Sequence, residues 1–219
     1  MSVQSLKSVS VKSLACLLAL PLTACATDNQ FDETGGVRVT RSACPAVAIP
    51  AYTGDVTLFS IPQSRDARAL DVSATITNLR STCTETGDQL VANATFEIQA
   101  RRASASGARE VILPYFATVM RGGTRIMSKQ IGRVALRFED GQLRASTGAT
   151  ATASISRAAA TIPPEVEAKI NRKRKPTDPD ASIDPMADPT VRAAVQEASF
   201  ELLVGFQLTN DQLAYNATR

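Results

Sequence analysis

Residues 90–101 read LVANATFEIQAR, and one feature of that stretch sets the fold class. Leu90, Ala92, Ala94, Phe96, Ile98 and Ala100 fall on alternate positions, with Val91, Asn93, Thr95, Glu97, Gln99 and Arg101 between them. A period of two puts the first set on one side of an extended chain and the second on the other, which gives a strand with one buried and one mostly wet face. Upstream, residues 71–79 repeat the pattern, Val72, Ala74 and Ile76 alternating with Ser73, Thr75 and Thr77. Earlier still, Pro45, Pro50 and Pro62 punctuate short apolar runs such as Val56 to Phe59.

Downstream, residues 111–120 form another strand, interrupted by Pro114, which predicts an edge position or a bulge because proline cannot donate to a ladder. Gly122-Gly123 predicts a hairpin turn into a strand at Arg125 to Gln130. Glu139-Asp140-Gly141 predicts a second hairpin turn, between Val134 to Phe138 and Gln142 to Ile155. Short antiparallel strands at this spacing predict a mainly β fold, a β-sandwich of immunoglobulin-like or related topology. The chain has no tryptophan, so the architecture is argued and not a true antibody-type domain.

At Ile162 the pattern changes. Pro163-Pro164 followed by EVEAKI is a helix start with proline and acids in the first turn. The basic run Arg172-Lys173-Arg174-Lys175 and Pro176 end it, and the Asp- and Pro-rich residues 176–190 read as loop. Thr190 to Ser199 reads as a second helix with Val191, Ala194, Val195 and Ala198 on one face. Phe200, Leu202, Val204, Phe206 and Leu208 then line one side of a last strand, and Thr209 is placed to cap a turn through Asn210 to Leu213. The expected folded domain is 44–219, with a helix–loop–helix insertion at 162–199.

The 219 residues are 44% hydrophobic and 21% charged, ordinary globular values. Histidine is absent, which removes the commonest general base and metal ligand. Residues 1–24 carry Lys7 and Lys12, no acid, an apolar run from Leu14 to Leu20 and a small-residue exit. That run is about a third of the ~20 residues needed to span a bilayer, so it reads as an export signal. Leu22-Thr23-Ala24-Cys25 resembles the lipobox of bacterial lipoproteins. The resemblance implies cleavage before Cys25 by signal peptidase II, a diacylglyceryl group on its thiol, and, with Ala26 rather than aspartate next, the periplasmic face of the outer membrane. The alternative is an ordinary signal cleaved near Ala24 or Ala26. The stretch from about Lys169 to Arg219 likewise resembles segments of uncharacterised alphaproteobacterial envelope lipoproteins, which implies no chemistry.

Removing the signal takes Lys7 and Lys12 from the 24 basic residues and leaves 22 against 21 acids, so no nucleic-acid partner is expected. Residues 25–43 are polar and read as a tether. Cys16 leaves with the signal and Cys25 takes lipid, so Cys44 and Cys83 remain and are expected to form a disulfide. Closing a loop of about 40 residues stabilises by roughly 4 kcal/mol. A redox or metal pair is the alternative, but CxxC spacing is lacking.

Chemistry has few candidates. The mature lysines are Lys129, Lys169, Lys173 and Lys175, none at SxxK spacing, and no GxSxG occurs. Glu97, Glu110 and Glu139 are candidates for paired carboxylates, but on strands or turns the solvated reading is commoner. Asp178, Asp180, Ser182 and Asp184 match alternate positions of a calcium loop, whereas Ile183 and Pro189 replace the required glycine and glutamate. The same acids are expected to neutralise Arg172 to Lys175, the cluster otherwise available to an anionic surface or an acidic partner. Asn93 and Asn216 begin glycosylation sequons of little weight in a bacterial periplasm. Together these features lead to a non-enzymatic, membrane-anchored binding or assembly module with an envelope protein partner and no cofactor. A carrier of a hydrophobic ligand and a histidine-free hydrolase are the alternatives.

Overall fold

The computed structural model describes residues 42–172 and 174–218. The export signal, Cys25, nearly all of the tether and Lys173 lie outside the described residues. The strands are β1 (Ala46–Ala48), β2 (Asp55–Phe59), β3 (Leu70–Thr86), β4 (Gln89–Arg102), β5 (Arg109–Arg121), β6 (Arg125–Phe138), β7 (Arg144–Ser156) and β8 (Phe200–Phe206). The helices are α1 (Arg157–Ala160), α2 (Pro164–Ile170), α3 (Pro189–Glu197) and α4 (Asn210–Thr218). Two four-stranded sheets, β1-β8-β5-β6 and β2-β3-β4-β7, pack face to face as a β-sandwich. All pairs are antiparallel except the short β1, which runs parallel to β8.

The period-two reading of residues 90–101 is what the fold uses. Every residue of the apolar set is buried, with Leu90, Ala94 and Ile98 at 0% exposure. Val72, Ala74 and Ile76 do the same for β3, and Phe200, Leu202, Val204 and Phe206 for β8. Each buried valine, leucine, isoleucine or phenylalanine among them contributes roughly 1.5–3 kcal/mol. Small alanines on the inner faces of β4 and β7 leave room for aromatics from the other sheet. Phe96 meets Tyr115 edge to face at 5.4 Å, and the Tyr115 hydroxyl donates to the Thr150 carbonyl at 3.1 Å.

Several expectations are corrected. Arg125 to Gln130 and Val134 to Phe138 belong to one continuous strand, β6, because Gly132 keeps the ladder going beneath the Tyr115 ring, which a Cβ would meet at 2.3 Å. Glu139-Asp140-Gly141 does turn, with the Gln142 amide donating to the Glu139 carbonyl at 3.0 Å, but it makes no hairpin. It carries the chain from sheet to sheet, since β7 pairs with β4. Pro114 is neither at an edge nor in a bulge. β5 lies between β8 and β6, and pairing with β8 starts at Tyr115, so the missing N–H falls just beyond that ladder. β3 runs on past Leu79 to Thr86 through a register shift at Asn78, whose φ is 54°. Leu208 lies past the end of β8, partly buried against the core.

The Gly122-Gly123 hairpin is present, both residues having positive φ (63° and 73°), as the tight turn between β5 and β6 requires. The helical insertion before the last strand is present too, α3 starting at Pro189 after the Asp188 cap. The expected turn after Thr209 is instead the full helix α4. Thr209 and Gln212 cap it reciprocally, the Thr209 amide donating to Oε1 of Gln212 and the Gln212 amide to Oγ1 of Thr209. Asn216 is buried and donates from Nδ2 to the Tyr52 and Asp55 carbonyls, both at 2.8 Å, which docks α4 on β2.

Candidate functional site

The helical insertion builds its own small core from Val166, Val191 and Val195, with Ile162, Ile170, Met186 and Ala194 around them. That packing brings the basic run back over the acidic loop. Arg172 and Arg174 both face Asp180, Arg174 with Nε 3.7 Å from its carboxylate, and Lys169 reaches Asp188 at 3.9 Å. Of the candidate anionic-surface residues, the exposed Arg172 and the half-buried Arg174 are therefore both engaged by Asp180, Lys175 has an exposed side chain, and Lys173 lies outside the described residues. The shallow concavity of about 300 Å³ here is lined by Lys169, Arg172 and Arg174 against Asp180, Asp184 and Asp188, a balanced set.

The calcium-loop acids do not converge. Asp178 accepts from the Lys175 amide, Asp184 from the Met186 amide, and Asp180 is taken by the arginines. Among the described residues there is no cluster of three acidic, Cys or His side chains suited to a metal. Asp188 caps α3, and the Thr190 amide that donates to it holds its carboxyl below the usual carboxylate range. The candidate carboxylates are also apart. Glu97 lies on the outer face of β4, Glu110 pairs with Arg137 at 2.9 Å on the opposite sheet, and Glu139 sits in the turn between sheets.

Cys44 and Cys83 form the expected disulfide, with Cα atoms 6.1 Å apart. Cys44 precedes β1 in one sheet and Cys83 lies in β3 of the other, so the bond clamps one flank of the sandwich.

Two features went unread in the sequence. Arg102 continues the inward set of β4 and is 2% exposed. Its guanidinium donates to the carbonyls of Gln142, Gly107, Ala105 and Glu139 at 2.6–2.9 Å and lies over the Phe138 ring, fastening both loops at that end of the sandwich.

The second feature is β6. It is an edge strand among the described residues, has no acid, and places Arg125, Lys129, Arg133 and Arg137 at every fourth position. Residues 125–131 are all exposed, Ile126, Met127 and Ile131 at 63%, 51% and 52%, and Ile112 on the adjacent β5 is at 59%. Arg125 pairs with Glu197 and Arg137 with Glu110, whereas Lys129 lies over the Phe116 ring at 5.2 Å. The Pro114 carbonyl accepts from Gln207 on the β8 side, so Pro114 and its partner Arg133 do not bond each other. By the period of two, Arg133, Ile131 and Lys129 therefore turn their N–H and C=O groups off the sheet.

A second, open concavity of about 550 Å³ lies on the outer face of the other sheet, lined by hydroxyls, Glu97, Gln99 and the directly opposed Arg101 and Arg144. Neither concavity is lined by the large side chains between the sheets. Among the described residues no helix is long and apolar enough to cross a membrane.

No family model and no curated protein matches the chain. Among solved structures it is similar to a DUF1425 family member from Shewanella sp. pv-4, at 13% identity over 50% of this chain and 94% of that one, with a TM-score of 0.23. A superposition that loose bears on neither fold nor function.

Proposed function

We propose that this chain is an outer-membrane-anchored periplasmic lipoprotein, acylated at Cys25, that serves the cell envelope as a non-enzymatic binding or assembly module. The observation that carries the reading is the Cys44–Cys83 disulfide. An isolated disulfide tying two sheets belongs in an oxidising compartment, the same compartment to which the export signal and the Leu22–Cys25 motif direct the chain. Anchoring follows from chain number, since each buried methylene adds about 0.8 kcal/mol and one acyl chain holds only marginally, whereas two or three hold durably.

Binding on the outside of the sandwich is supported by its filled interior. Leu90, Ile98, Leu113, Leu136, Phe138 and Phe206 occupy the space a hydrophobic ligand would need. A non-enzymatic role is supported by the dispersed carboxylates and by lysines with no serine to activate at the required spacing. The test is metabolic labelling with palmitate. The wild-type chain is expected to incorporate label and to fractionate with outer membrane, and Cys25→Ala to do neither. An unlabelled wild-type chain, or a Cys25→Ala chain that still fractionates with the membrane, overturns the anchor.

A further inference from the structure

We propose that the free edge of β6 is a docking site for an extended acidic segment of a partner protein, which adds to the sheet as a fifth strand beside β6. The inference rests on the binding-module reading and names its surface. Three properties coincide on residues 125–133. The backbone groups of Lys129, Ile131 and Arg133 point off the sheet, which is the hydrogen-bonding template an added strand needs. Neither face of the 125–131 half is covered, and Ile126, Met127 and Ile131 stand in solvent. Exposed apolar side chains on an unpaired strand are an aggregation hazard, which the edge cations and the register shift at Met127 limit against unselective pairing while leaving the regular stretch 129–133 open.

Charge selects the occupant. β6 carries cations and no acid, and Lys129 and Arg133 have no carboxylate partner among the described residues. Both flank Ile131 on the outer face, so an incoming strand meets cation, isoleucine and cation in sequence. Glutamate or aspartate interleaved with an aliphatic residue complements that row. A second copy of this chain does not, because pairing β6 with β6 sets cation against cation. A membrane does not either, because lipid headgroups form no ladder with the edge amides.

The test uses the purified full-length chain in uncharged micelles and a fluorescent peptide of roughly ten residues alternating valine with glutamate. Saturable binding is expected, and the lysine counterpart of the peptide is expected not to bind. Ile131→Pro removes an N–H that faces off the sheet, leaving the β5–β6 ladder intact, and it is expected to weaken binding at least about tenfold. Lys129→Glu with Arg133→Glu is expected to do likewise, while Arg101→Glu with Arg144→Glu, on the other sheet, changes nothing. Equal binding by the Ile131→Pro chain, or equal loss on both charge reversals, overturns the proposal. So does a chain that ignores the peptide but binds vesicles of anionic lipid through Lys129 and Arg133, which assigns the surface to a membrane. Acylation does not enter this measurement, so its failure leaves the anchor standing, and failure of palmitate labelling leaves the β6 assignment standing.

Discussion

Arg102 satisfies its guanidinium with four carbonyls and a phenyl ring, without an ion pair among the described residues. Those carbonyls come from both loops that close one end of the sandwich, so truncation leaves acceptors buried without donors. Arg102→Leu is expected to lower stability by about 3 kcal/mol or more, read as a lower midpoint in urea unfolding. Lysine, with one compact ammonium, is not expected to restore the wild-type midpoint. Gly205 is as demanding for the opposite reason. A Cβ there would lie 2.4 Å from Thr53 Oγ1 and 2.8 Å from the Phe116 ring, so Gly205→Ala is expected to destabilise by about 1–3 kcal/mol in the same assay. Neither role is legible in sequence. Alternation shows that position 102 points inward, but carbonyl partners have no residue identity to recognise, and Gly205 is constrained by a neighbouring strand.

At the scale of elements, α3 depends on its Asp188 cap. Because the folded carboxyl titrates below its unfolded value, the cap stabilises fully above the ordinary aspartate range and is lost as pH falls through the lowered folded value. Protection of the Thr190–Val195 amides against hydrogen exchange, relative to their intrinsic rates at each pH, is therefore expected to fall below about pH 4, and Asp188→Ala to show that lower protection already at neutral pH. The helical insertion was readable because its proline, acid and apolar signals are local. The turn at Glu139-Asp140-Gly141 was readable as a turn but not as a crossing between sheets. Local chemistry bends a chain, and which strand receives it is settled by packing far away, here with Arg102 holding the loop. For the same reason the four-residue cationic repeat of β6 was visible in the sequence while its place at a sheet edge was not. Pro114 misled because it occurs in an interior strand, at a point where the neighbouring ladder has already stopped.

For the whole molecule, the Cys44–Cys83 bond joins the two sheets across 39 residues of chain. Reducing it, or replacing both cysteines with serine, is expected to remove about 4 kcal/mol. In a domain of this size that lowers Tm by roughly 10 °C, measured by calorimetry with and without reductant; an unchanged Tm would show that the clamp adds nothing to folding. Acylation is proposed at Cys25, ahead of that clamp in the sequence. The most direct measurement is the intact mass of the protein extracted from membranes of cells exporting it. A chain beginning at Cys25 with the mass of a diacylglyceryl group added is the expected result. A chain that begins elsewhere, or that begins at Cys25 with an unmodified thiol, contradicts it.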